Sequence, residues 1–202
     1  MNFLNLLHQQ TQQLQGQIRS LICPKEDSVQ QRTLPLKRYQ QLLYANLAYH
    51  RALETALTHQ APYLPGYDQL LQCRTPYLVA DLLATGAPIP QDYPAYFESW
   101  SSWQLMGAVY IGEGLATEAT EVCEALKQNP LVPPMARISR FFSAPSATHS
   151  LATYVTNRAE GHEDEVIRGV QQAIELYSDL TDPSDRDPSD RDASDRPTQS
   201  LH

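Results

Sequence analysis

Three of the chain's eight glycines fall within the run Met106-Gly-Ala-Val-Tyr-Ile-Gly-Glu-Gly-Leu-Ala-Thr-Glu118. This segment otherwise reads as helix. Glycine inside a helix costs about 1 kcal/mol relative to alanine, so such a cluster marks backbone that must bend or lie against something close. Gly107, Gly112 and Gly114 therefore require a neighbour. Any fold for this chain must bring another element, or a ligand, onto that helix.

The remaining pattern is helical throughout. Leu4, Leu7, Thr11, Leu14, Ile18 and Leu21 recur at spacings of three and four, predicting an amphipathic helix over residues 2–22 that Pro24 ends. A second helix is predicted over 35–60, with Tyr39, Leu43, Asn46, His50, Leu53 and Leu57 as its inward stripe. Thr75-Pro76 supplies an N-cap and a first-turn proline for a third helix, which Gly86 stops. A short fourth is expected over 92–104, leading into the glycine-rich helix, which ends near Leu126. Further helices follow through Arg140, over 146–158 and over 163–180, the last with Val166, Val170, Ile174 and Tyr177 in register. No stretch alternates polar and apolar residues as a strand would. The expected fold class is all-α.

At 202 residues the chain suits one helical domain, expected over 1–181. From Asp182 the sequence becomes Asp-Pro-Ser-Asp-Arg twice and then Asp-Ala-Ser-Asp-Arg, an acidic repeat with too little apolar surface to offset its ordering entropy. Residues 182–202 are therefore expected to form a disordered tail. A net charge of −8 and a pI near 5.1 speak against a nucleic-acid groove or an anionic membrane surface. Cys23, Cys73 and Cys123 form no C-x-x-C pair and leave an odd thiol, as in a reducing compartment. The first residues show no cationic segment followed by an apolar run, and no stretch reaches about 18 apolar residues, so no export is expected. A soluble cytoplasmic protein is expected.

Motifs for chemistry are few. No H-E-x-x-H or E-x-x-H spacing joins the six histidines to carboxylates, and there is no G-x-S-x-G, phosphate loop or dinucleotide fingerprint. His50 and Glu54 stand one turn apart and suit a buried hydrogen-bonded pair. Tyr44, Tyr49, Tyr110 and Tyr154 suit core positions with a satisfied hydroxyl.

The run Gly107-Ala-Val-Tyr110-Ile-Gly112-Glu113-Gly114 resembles the distal-helix motif of bacterial, biliverdin-producing heme oxygenases, L-G-x-x-Y-V-x-E-G-S. The likeness extends over about residues 4–180. Tyr39 to Glu54 resembles that family's second helix, Leu78-Val-Ala-Asp81-Leu82 its L-x-x-D-L segment, and Arg140-Phe-Phe142 the start of its C-terminal half. The resemblance implies a single-domain heme oxygenase-like helical bundle with heme between the first helix and the glycine-bent distal helix. It also implies oxidative opening of heme to biliverdin, carbon monoxide and iron, with an external electron donor.

The carry-over places Thr11, Gln15, Tyr110, Gly112 and Gly114 at cofactor-binding positions. Where the family has T-x-x-x-H with the iron-binding histidine, this chain has Thr11 followed by Gln15, and a carboxamide is a poor iron ligand. His8 is the nearby substitute ligand, on nearly the same face but about 10.5 Å along the axis. Where the family continues with x-L-G-G, Glu118 and Ala119 replace two glycines, making Glu118 the candidate catalytic residue as an organiser of distal water. Three readings stay open: a heme oxygenase, a non-catalytic relative that binds a tetrapyrrole or a regulatory partner, and a different enzyme acting on a small heterocycle through Glu54 and Glu113.

Overall fold

The computed structural model describes residues 34–60, 73–115, 119–144 and 148–182, together with 3, 5–9, 12 and 16. Among these the chain is all-α: α1 (Leu36–Gln60), α2 (Thr75–Ala84), α3 (Ser102–Leu115), α4 (Ala119–Gln128), a 3₁₀ turn (Pro134–Ala136), α5 (Arg140–Ser143), α6 (Thr148–Arg158) and α7 (Glu163–Thr181). The described N-terminal residues are helical as well. No strand occurs among the described residues, and no helix among them is long and apolar enough to cross a membrane. The repeat after Asp182 lies outside the described residues.

Helix α3 is the centre of the bundle. Every residue from Leu105 to Leu115 is buried, as expected of a helix that is apolar all round rather than along one stripe. On one side it crosses α7 where Gly107 meets Gly169. A β-carbon on Gly107 would run into the backbone of Val166 and lie 2.6 Å from the Val170 amide nitrogen. One on Gly169 would fall 2.6 Å from the Gln104 Cα. Two opposed glycines thus let the axes approach to backbone contact. On the other side α3 meets α1, where the Tyr49 hydroxyl donates to the Ala108 carbonyl at 2.7 Å.

The inward stripe expected for α1 is buried in full, from Tyr39 through Leu57. Asn46 reaches across to α7, donating to the Tyr177 hydroxyl at 3.0 Å. Helix α2 ends in a complete Schellman motif: Gly86 at φ +75° donates its N–H to the Leu83 carbonyl, and Ala87 donates to Leu82, both at 3.1 Å. Gly86 therefore stops the helix as its position predicts.

One expectation needs correction. No helix begins at Asp92: residues 92–101 are irregular apart from a turn over 96–99, and α3 starts at Ser102. Pro94 removes a donor, and Ser101 with Gln104 forms a reciprocal capping box that fixes the start. The Ser101 N–H donates to Gln104 Oε1 at 2.9 Å, and the Gln104 N–H donates to Ser101 Oγ at 3.3 Å. The expectation that the glycine-rich helix runs to near Leu126 crosses residues 116–118, which lie outside the described residues; helix is described over Ser102–Leu115 and over Ala119–Gln128.

Candidate functional site

The polar residues that carry the family likeness converge inside the bundle. Glu113, one turn past Tyr110 on α3, is 3 % exposed and holds Arg74 in a two-pronged ion pair. Arg74 Nε donates to Oε1 at 3.1 Å, and Nη2 donates to Oε2 at 2.7 Å. A planar guanidinium and a carboxylate match in this geometry, which offsets much of the desolvation of both charges. Arg74 sits there because it is the N-cap of α2, and that helix start is held from α1. Glu54 Oε1 accepts the backbone N–H groups of Arg74 at 2.6 Å and of Thr75 at 3.0 Å, while Oε2 accepts from the Cys73 thiol at 3.0 Å.

This arrangement overturns two expectations. Glu54 caps α2 instead of pairing with His50, and Thr75 is not the cap but the first helical residue. A carboxylate receiving two orphan amide protons at a helix N-terminus gains more than it would from a neutral imidazole on its own helix. The Cys73 thiol is pushed up to about 11 by burial and by its bond to Glu54, so it stays protonated near neutrality. It is a poor nucleophile there.

His50 packs against α3 at Gly112 and feels the Arg74 charge. Its ring makes edge contacts with Tyr49 at 5.5 Å and Phe141 at 5.4 Å between centroids, and its Nε2 is buried with no hydrogen-bond partner among the described residues. Burial, followed by the Arg74 guanidinium, pushes the imidazole down to about 3. It is neutral at pH 7. Asp81, the acid of the L-x-x-D-L resemblance, performs a third structural task. It accepts from Ser139 Oγ at 2.6 Å and from the Arg140 and Phe141 amides at 2.8 and 3.0 Å, tying α2 to the start of α5.

The expected heme residues are only partly brought together. Tyr110, Gly112 and Gly114 are all buried on α3, whereas His8 is exposed on the N-terminal helical segment. Thr11, Gln15 and Glu118 lie outside the described residues. A β-carbon on Gly112 would stand 3.0 Å from His50 Cε1 and 3.3 Å from Tyr49 Cε1, so protein side chains already cover that position. Gly107 is covered by α7. Gly112 is thus packed against α1 side chains and Gly107 against the backbone of α7. Among the described residues no group of three or more His, Cys, Asp or Glu side chains is placed to hold a metal ion.

A second feature was not foreseen. A groove of about 610 Å³ runs along the outer face of the first half of α1, opposite the segment Pro88–Tyr96, and reaches the end of α7 at Leu180. The prolines interleaved with Ile89, Tyr93 and Tyr96 were its signal, since such a segment can be apolar without being helical. Comparison of the chain with protein-family models, curated proteins and solved structures gives no match.

Proposed function

We propose that this chain is a heme oxygenase-like helical protein that binds a tetrapyrrole without opening it. The observation that carries the reading is the buried glycine-bearing helix Ser102–Leu115 at the centre of an all-α bundle, as the likeness of Gly107 to Gly114 implies. Gly107 and Gly112 of that run also serve packing between helices. Glu54, Asp81 and Glu113, which extend the likeness, are likewise engaged in caps and a buried ion pair. A motif wholly engaged in the scaffold supports kinship of architecture more than kinship of reaction. Replacement of the expected axial histidine by Gln15 and of a distal glycine by Glu118 supports binding without turnover.

Hemin titration of the purified full-length protein, read by absorption and followed by addition of an electron donor, tests the proposal. Saturable binding with no biliverdin is expected. Biliverdin formation would restore the catalytic reading, and absence of saturable binding would remove the tetrapyrrole. Gln15→His is expected to give the bound hemin an imidazole-type spectrum; a spectrum unchanged from the parent would reject the register at Thr11 and Gln15.

A further inference from the structure

We infer that the groove beside α1 is a binding site for a flat, largely apolar organic anion. This inference is independent of the tetrapyrrole reading and concerns a different face of α1 from the one that meets the glycine helix. Its volume of about 610 Å³ lies within the range of small-molecule pockets, about 300–1,000 Å³. The walls are built from rings, with Tyr44 on the helix and Pro88, Tyr93 and Tyr96 on the facing segment. Such surfaces favour a planar guest.

The facing wall is preformed. The Tyr44 hydroxyl donates to the Pro88 carbonyl at 2.8 Å. Seven residues along α1, the Arg51 guanidinium lies 4.2 Å over the Tyr93 ring. These two ties are about 10.5 Å apart along the helix axis and hold a segment that has no helix of its own. A wall held in place before binding reduces the ordering cost of association.

Charge gives the guest its sign and its direction. On a chain of net charge −8, Lys37 and Arg38 both stand in the first turn of α1 and both border the groove. That turn contains no acidic residue. Two cations at a helix N-terminus add to the positive end of the macrodipole instead of offsetting it, so an anion is favoured there. Asp92 and Asp182 also border the groove and Arg51 stands over Tyr93, so the sign rests on the paired cations at the start of α1, and the acidic group of the ligand is assigned to that end.

The probe for the test is 8-anilinonaphthalene-1-sulfonate, an aromatic anion whose fluorescence rises in apolar surroundings, titrated into the full-length protein. One saturable site is expected. Ala48→Trp on the helix wall and Ile89→Trp on the facing wall should each fill the groove and weaken binding by about tenfold or more. A near-parent circular-dichroism melt shows that each variant is folded, and if one fails to fold the other decides. The double variant K37E/R38E should weaken binding by about fivefold, with the difference shrinking as salt rises. No saturable site, or unchanged affinity in the folded tryptophan variants, overturns the site. Unchanged affinity in K37E/R38E overturns the assignment of an anion.

Discussion

His50 is a buried base beside a buried cation, and that position links the stability of the whole chain to pH. Its folded-state pKa of about 3 lies below the ~6.5 of an unfolded histidine. As pH falls, the unfolded chain takes up the proton first. The stabilisation is complete above about pH 6.5 and is lost progressively toward pH 3, with roughly 1 kcal/mol gone from this group between pH 7.5 and 5.5. Replacing His50 by Phe should remove that slope while keeping the edge contacts with Tyr49 and Phe141. Urea unfolding of parent and variant at the two pH values measures it, and an equal pH slope in both would show that His50 is not the titrating group. At this scale the sequence makes the burial legible, because His50 falls on the apolar stripe of α1. The partners were not legible. Spacing of four suggested Glu54, but that carboxylate is drawn to amide protons of Arg74 and Thr75, twenty residues away and on another helix. Nothing local in the sequence marks Arg74 as buried.

Helix α3 separates two uses of glycine that look alike in the sequence. At Gly107 a methyl group would meet the backbone of α7, with the Val170 nitrogen at 2.6 Å, and backbone cannot rotate away. The two helices would have to separate. Gly107→Ala should cost about 1–3 kcal/mol or more, even against the ~1 kcal/mol that alanine gains in helix propensity. At Gly112 the nearest atoms belong to side chains, His50 Cε1 at 3.0 Å and Tyr49 Cε1 at 3.3 Å, which can shift by tenths of an ångström. Gly112→Ala should therefore lie within about 1 kcal/mol of the parent. Denaturant midpoints of the two variants check the order, and a Gly112→Ala loss as large as that of Gly107→Ala would mean that His50 and Tyr49 cannot yield. The need for a close neighbour was legible at both sites; which neighbour was not, because Gly169 lies 62 positions beyond Gly107. The starts of α1 and α7 follow from periodicity, and the end of α2 from Gly86. The absence of a helix from Asp92 was also readable, since Ser101-x-x-Gln104 is a capping box and Pro94 stands before it.

Across the whole molecule the core closes with α7. Leu180 is its last buried side chain, and the Asp182 N–H completes the final turn by donating to the Ser178 carbonyl at 3.0 Å. After that bond come the rest of the acidic repeat, to Arg196, and six further residues, whose apolar side chains together are Ala193, Leu201 and prolines. Residues 183–202 contain five Asp and three Arg, so removing them takes the net charge from −8 to −6 and removes almost no surface able to enter a core. Because the denaturant m-value scales with the area exposed on unfolding, a chain ending at Asp182 should keep both the m-value and the midpoint of the full-length protein. Urea unfolding of the two forms side by side makes the comparison. A lower m-value in the shorter form would show that the repeat buries surface against the bundle, and a lower midpoint at equal m-value would show that it stabilises the end of α7. The composition of the repeat, poor in side chains that gain from burial, supports neither result.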